Sequence, residues 1–479
     1  MLDRPAQTSS SLANSEPFVR GYALLRKDLA SDTTSGWRRS AFCDGYELRS
    51  HGKTEVARAA RRGRTVMLIG RAYDLADGVQ DTALLSARIL EKLEVSFDAA
   101  LRYVAYLGGR YAVFVHEQGR IVAIPDCHAT YAIHASAGAH GVLFCSHWML
   151  GADILGLEAN AEAAAFMNSP DYVSPGGKYF PALWGPCTGL RNVFPNCFAT
   201  FELASGTFVH RRFYPFARIE AARPEDVYPH FLEAMKQAVR SCAGSGAVLS
   251  LTAGGDSRAV LAAAMLSGGL SDDAFAFTYA RFNDRNREAF DDVVGASKAA
   301  FIAGVRHLVL DLPPADFACE FHQYYAKSFR IGARFPALAR LYYENLPHDR
   351  AILISTVAET GTVFYTKRDH GVPTPAILAE KFTPSAARLR PELLQAFEEY
   401  QAWTQFEPER LFNLDWHDLF YWEHRNAKWA SVWYAEVDLT GFAIAPYNNR
   451  RLIELMLSLP EEHRRSRYLQ QRIIAEAGL

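Results

Sequence analysis

The stretch Ser250-Leu251-Thr252-Ala253-Gly254-Gly255-Asp256-Ser257-Arg258 decides how this chain is read. An apolar run over residues 247–251 precedes it, and an alanine-rich run over 259–266 follows. A buried strand therefore feeds a glycine turn that opens a helix. Gly254 and Gly255 let the backbone approach a ligand closely and adopt positive φ. Free N–H groups at the helix start favour an anion, and Thr252 and Ser257 add hydroxyl donors. Asp256 is out of place for anion binding alone. It fits if a cation such as Mg²⁺ accompanies a phosphate, because hard cations take carboxylate oxygen. The loop lacks the Gly-Lys-Ser/Thr ending of a Walker A motif and the third glycine of a dinucleotide fingerprint. The plain alternative is a strand-to-helix turn capped by Asp256 and Ser257.

Outward from the loop, the second half alternates strands with helices. Val227, Phe231, Leu232, Met235 and Val239 recur at helical spacing. Strands are expected over 274–279, 308–312 and 351–355, with a helix over 291–303. This alternation predicts a parallel sheet covered on both faces. The first half reads differently, as an antiparallel, strand-rich region. Apolar runs lie at 65–70, 141–145 and 198–203, the last returning through Ser205-Gly206 to 207–210. Residues 111–116 and 121–124 flank Glu117-Gln118-Gly119-Arg120, a hairpin signal. Between the halves, residues 215–226 carry two prolines and several charges and read as a linker. The expected domains are thus 1–214 and 227–479.

Composition narrows the class of protein. The chain has 479 residues, 49% hydrophobic and 22% charged, which excludes a disordered chain, a collagen or a coiled-coil rod. Lys plus Arg is 51 against 53 for Asp plus Glu, so the basic footprint of a nucleic-acid binder is missing. No stretch approaches the roughly 18 apolar residues of a membrane span, and the polar start carries no secretory pattern. The seven cysteines are scattered without a C-x-x-C pair, which argues against a structural zinc site and fits a reducing cytoplasm. Of the ten lysines, the last is Lys428.

The loop resembles the pyrophosphatase loop of the asparagine synthetase family, usually Ser-Gly-Gly-x-Asp-Ser. Phe277-Thr278-Tyr279, Asp291-Asp292, Ala296, Ala299 and His307 are similar to the family's next strand and helix. Ser355-Thr356-Val357-Ala358-Glu359 resembles its acidic loop, with Ala358 at the Asp position and Glu359 retained. Ala445-Pro446-Tyr447-Asn448-Asn449, then Leu452-Ile453-Glu454 and Leu459-Pro460, resemble its late Arg-x-Pro-Phe-Leu-Asp segment. Gly109-Arg110-Tyr111, Asp126 and Phe194-Pro195-Asn196 are similar to its glutaminase-like domain. The resemblance implies an α/β protein: an N-terminal β-rich glutaminase-like (Ntn-type) domain and a C-terminal parallel α/β ATP pyrophosphatase domain.

Two departures shape the expected function. Asparagine synthetases carry a cysteine directly after the initiator Met; here Leu2 stands there, and the earliest cysteine is Cys43. The thiol nucleophile for splitting glutamine is therefore missing, as in β-lactam synthetases and lasso peptide macrolactam synthetases. The family also places lysines near the C-terminus, where this chain has Arg467-Tyr468-Leu469-Gln470-Gln471-Arg472. Arg467 takes the position of the first, able to hold phosphate charge but not to give up a proton readily.

The resemblance then implies ATP and Mg²⁺ as cofactors, with a carboxylate activated as an acyl-adenylate for attack by an amine. ATP would be held by Leu251, Thr252, Gly254, Gly255, Asp256, Ser257, Thr278 and Ser355, and the metal by Asp256 and Glu359. Glu423 is the candidate general base, with a surface ion pair as its alternative, and Arg467 completes the catalytic pair. Trp422, Trp429, Trp433 and Tyr434 form an aromatic stripe, either pocket wall or core. Expected partners are a small-molecule or peptide substrate, no nucleic acid and no membrane, with a homodimer left open. Alternatives are a catalytically weakened nucleotide-binding scaffold and an ammonia-dependent amidating enzyme.

Overall fold

The run Val66-Met67-Leu68-Ile69 is fully buried along its length, so both faces of its strand need cover. Met67 and Ile69 pack against Tyr22, Leu24 and Leu48 of a second sheet. Val66 and Leu68 turn to the other side, against Leu85, Ile89 and Leu101 of two helices. Each such side chain contributes roughly 1.5–3 kcal/mol on burial. This alternation builds a helix–sheet–sheet layering. On the outer face of the second sheet, Ala23, Leu25 and Cys145 meet the helix Trp148–Leu155, the fourth layer.

The structure is a computed structural model. It describes residues 12, 15–174, 177–244, 246–268, 270–282, 286–331, 334–366, 368 and 371–479. The expectation at Leu2 lies outside them. The strands in chain order are β1 Tyr22–Arg26, β2 Arg38–Cys43, β3 Tyr46–Ser50, β4 Val56–Arg61, β5 Arg64–Tyr73, β6 Gly108–Glu117, β7 Arg120–Pro125, β8 His134–Gly138 and β9 Gly141–Cys145. They continue with β10 Arg191–Asn192, β11 Cys197–Glu202, β12 Phe208–Arg212, β13 Val248–Ser250, β14 Phe275–Ala280, β15 Arg306–Asp311, β16 Ala351–Leu353 and β17 Phe442–Ile444. Two antiparallel six-stranded sheets, ordered β10-β8-β9-β1-β3-β2 and β12-β11-β7-β6-β5-β4, occupy the first half. A five-stranded parallel sheet, β15-β14-β13-β16-β17, occupies the second. The expected mixture of antiparallel and parallel sheets is present.

Two expectations need correction. The first half is not only strands: helices Thr82–Val95 and Phe97–Tyr106 cover β5, and Asp81 and Ser96 cap them by accepting from Ala83 N–H and Ala99 N–H. The stretch read as linker is only partly irregular, because the helix Pro224–Ala243 begins inside it, with proline in its first turn.

The antiparallel and parallel parts share an interior. One apolar core runs from Tyr73, Phe166 and Phe194 to Phe231, Leu249 and Phe277. Buried charge also crosses the joint: Arg110 Nη1 meets Asp438 Oδ1 at 2.6 Å, with both side chains 1% exposed. Asn448 Nδ2 donates to Asp126 Oδ1 at 3.0 Å and to Gly109 O at 2.6 Å. No helix of the described residues is long and apolar enough to cross a membrane.

Candidate active site

In the parallel sheet, β13 is flanked by β14 and β16, and the chain order reverses between β13 and β16. Loops leaving the C-terminal ends of strands diverge at such a switch point and open a crevice there. One loop, residues 251–254, feeds the helix Gly255–Leu266. The other leads through Ser355 into the short turn Thr356–Thr360, which carries Glu359.

The first loop is held by its own hydroxyls. Thr252 N–H donates to Ser257 Oγ at 3.1 Å, and Gly254 N–H donates to Thr252 Oγ1 at 3.1 Å. Thr278 Oγ1 donates to Leu251 O at 2.6 Å and lies 2.8 Å from His307 Nε2. Since the threonine proton goes to the carbonyl, His307 Nε2–H is the donor to Thr278. Ser297 then donates to His307 Nδ1 at 3.0 Å. Burial lowers the pKa of His307 and favours this neutral form. Ala253 N–H is donated to Asp292 Oδ1 at 3.1 Å.

Charges gather beside the turn. Asp256 Oδ1 accepts from Gln470 Nε2 at 3.2 Å, and Oδ2 lies 3.5 Å from Arg467 Nε. Burial pushes the Asp256 carboxyl up to about 6; Arg467 opposes the rise and the charge of Glu359 adds to it. Tyr447 O–H donates to the backbone carbonyl of Asp256 at 3.3 Å. Glu359 Oε2 accepts from Tyr421 O–H at 2.5 Å. Arg467 has φ +53°, at the start of the helix Tyr468–Glu476. That conformation is costly for a residue with a Cβ and recurs at functional sites. A Cβ on Gly255 would come within 3.2 Å of Arg467 Cδ, so glycine lets the arginine close over the turn.

A cavity of about 1170 Å³ opens next to this cluster. Leu251, Thr252, Ser257, Thr278 and Ser355 line it. Of the residues expected to hold a nucleotide, Gly254, Gly255 and Asp256 lie outside this lining. The cavity exceeds the several hundred Å³ of ordinary ligand sites, and hydroxyls face it where phosphate would lie. Among the described residues no cluster of three or more His, Cys, Asp or Glu could hold a metal. Mg²⁺ needs only one or two carboxylates beside substrate phosphates and water; Asp256 and Glu359 are the candidates, and both sit outside the cavity lining.

The expectation for Glu423 is corrected. Its carboxylate is fully buried and gripped end-on by Arg212, with Nη1–Oε1 and Nη2–Oε2 both 2.6 Å, while Asn196 Nδ2 donates at 2.9 Å. It does not line the cavity and is neither a surface ion pair nor poised to take a proton. The aromatic stripe divides. Trp429 and Trp433 line the cavity. Trp422 is fully buried, its Nε1 donating to Cys127 O at 2.6 Å, and Tyr434 is buried beside Thr356. Gln470 and Tyr447, which hold Asp256, carried no sequence signal of that role. Cys43 lies on β2, and burial pushes its thiol up to about 11, away from the thiolate that amide splitting requires.

No family model and no curated protein matches the chain. Among solved structures it is similar to the glutamine phosphoribosylpyrophosphate amidotransferase of B. subtilis, complexed with ADP and GMP. The identity is 9%, the TM-score 0.25, and 72% of this chain and 71% of that chain are covered. A second similar structure, the allosteric regulatory enzyme of purine biosynthesis, has 8% identity and a TM-score of 0.25 over 72% of this chain and 69% of its own.

Proposed function

We propose that the chain is an ATP-dependent, AMP-forming amide ligase that activates a carboxylate as an acyl-adenylate for attack by an amine, without glutaminase activity. In this reading residues 227–479 form the ligase domain and residues 1–214 a glutaminase-like domain that has lost its own chemistry. The observation that carries it is the gathering of Asp256, Glu359 and Arg467 around the Gly254-Gly255 turn, at the switch point of a parallel sheet and beside a large cavity. The turn would receive pyrophosphate against the N–H groups opening the helix Gly255–Leu266. Mg²⁺, held by Asp256 and Glu359, would neutralise charge on the leaving pyrophosphate. Arg467 would hold phosphate oxygens through its guanidinium, a stabilising role that needs no proton transfer. Thr278, fixed by His307, would keep the loop entrance in register with the nucleotide.

A second reading, a nucleotide-binding scaffold without ligation, is favoured by the lack, among the described residues, of a cluster of three or more metal-ligating side chains. ATP–pyrophosphate exchange across a panel of carboxylic acids separates the two readings. Acid-dependent exchange that is lost in Asp256→Ala and retained in Glu423→Gln supports the ligase. Retained ATP binding with no exchange from any acid supports the scaffold.

A further inference from the structure

The cavity has more room than a nucleotide alone would use, and its walls are of two kinds. The part described above offers hydroxyls and loop backbone. The other part lies between the helices Glu320–Ser328 and Pro336–Asn345 and the π-helical stretch Tyr421–Ala430 with the helix Ser431–Val437 that continues it.

There the walls are aromatic. Trp429 and Trp433 stack with centroids 5.9 Å apart and planes at 28°. Phe335 meets Trp429 edge-on at 6.3 Å, and Phe329 extends the wall. The cations at this end are already committed. Arg334 Nη2 lies 2.9 Å from Glu436 Oε2, both side chains buried, and Arg330 is paired with Asp153. A charged ligand group entering here would lose its water and find its would-be partners neutralised. Flat or extended apolar groups would instead gain stacking and burial. His322 also lines the cavity, with its Nδ1 buried and without a hydrogen-bond partner.

We propose that this compartment, walled by Trp429, Trp433, Phe335 and Phe329, binds the body of the activated acid, and that this body is aromatic or long and apolar rather than small and polyanionic. The assignment as an acid substrate rests on the ligase reading; the compartment's preference for apolar groups does not. The selecting residues come from two stretches joined by folding, the connection that carries Phe329 and Phe335 and the helical run that carries Trp429 and Trp433, and none belongs to the phosphate loop. The loop therefore sets the chemistry, and the aromatic compartment sets the acid.

The test uses the full chain with three probes: 4-phenylbutyrate, decanoate and succinate. Binding is read by equilibrium dialysis and by quenching of tryptophan emission, in the parent and in Trp429→Ala. A second variant, Ala337→Trp, fills the compartment from its lining without removing any packing. Retained ATP binding reports that each variant is folded. We expect 4-phenylbutyrate and decanoate to bind at least about ten-fold tighter than succinate, and both variants to weaken them about ten-fold. Equal or tighter binding of succinate, or apolar binding that neither variant disturbs, overturns the proposal. Pyrophosphate exchange driven by succinate alone also overturns it while leaving the ligase reading intact. Apolar binding weakened by both variants, with no exchange from any acid, supports the compartment and overturns the ligase reading.

Discussion

His128 Nε2 lies 3.1 Å from Thr360 Oγ1, which places a histidine of the antiparallel half directly behind the turn that carries Glu359. Its other ring nitrogen lies 2.8 Å from Asn448 Oδ1. That oxygen cannot donate, so Nδ1–H is the donor there and Nε2 accepts the Thr360 proton. Asn448 follows Tyr447, whose hydroxyl reaches the backbone of Asp256. The Glu359 turn is thus propped from the antiparallel half by His128, and the Asp256 loop by Tyr447, whose neighbour Asn448 bonds back to that half.

His128→Ala is expected to cost about 1–3 kcal/mol, because Thr360 and Asn448 are left buried with unmet hydrogen bonds. Urea unfolding measures the loss. A double-mutant cycle with Thr360→Val isolates the shared bond, with an expected coupling of about 0.5–1.5 kcal/mol. Strictly additive effects would mean that the prop does not exist.

Glu423→Gln removes the carboxylate that faces Arg212 Nη1 and Nη2 in a buried pair. An unpaired buried guanidinium costs about 3–5 kcal/mol. The variant should therefore unfold at a clearly lower temperature, and Arg212→Met combined with Glu423→Leu should recover much of the loss. Turnover per folded molecule should stay unchanged. A large drop in turnover without a drop in unfolding temperature would restore Glu423 as a catalytic base.

Acid should destabilise the chain early. Burial lowers His128, His147 and His210 to about 3 each, against about 6.5 in an unfolded chain. Their folded values lie below their unfolded ones, so the folded state binds fewer protons. The stability they contribute is present above about pH 6.5 and is lost progressively as pH falls toward 3. Each loses up to about 1.4 kcal/mol per pH unit, so three together exhaust an ordinary stability of roughly 5–15 kcal/mol within a few units. Asp256, raised to about 6, has the opposite sign and stabilises as pH falls from there toward 4, one group against several, since burial also lowers His51, to about 4, and His134 and His424. Unfolding temperature measured from pH 7 to pH 4 should drop steeply below pH 6. A flat profile would show that these imidazoles are hydrated.

The strand and helix around the turn were legible because burial leaves local marks, an apolar run before Gly254-Gly255 and an alanine-rich one after, whereas the positive φ open to these glycines is not used: Gly254 has φ −63°. β17 was not legible. Its Phe442-Ala443-Ile444 is three residues long and takes its place only by pairing with Ala351–Leu353, some ninety residues away. The helices over 82–106 carry good caps in Asp81 and Ser96, but they stand between strand runs whose apolar pattern dominates that half. Glu423 misled for a related reason. A sequence displays an acidic residue and its helical neighbours, whereas Arg212 lies 211 positions away and reaches it only through the fold. Arg467 was found as a candidate, but its contact with Asp256 depends on a positive φ that nothing local predicts.

Ala253 sits directly against Gly295. A Cβ on Gly295 would fall 2.5 Å from the Cβ of Ala253 and 3.2 Å from its Cα, too close for either atom to stay in place. Gly295 lies inside the helix Arg287–Ile302, where alanine would otherwise be favoured by about 1 kcal/mol. The glycine is therefore the room that the larger loop residue occupies. Gly295→Ala should push the loop off this helix, break the Ala253 N–H bond to Asp292 and cost about 1–3 kcal/mol of packing strain. ATP binding should weaken in the same variant, because the displaced residue lies between Thr252 and Gly254. Adding Ala253→Gly should restore both stability and binding, since it removes the methyl group that the new side chain strikes. Unfolding temperature and equilibrium ATP binding on the four proteins of this cycle give the coupling. Its sign is the test: a double variant worse than Gly295→Ala alone would show that the two residues do not share this space.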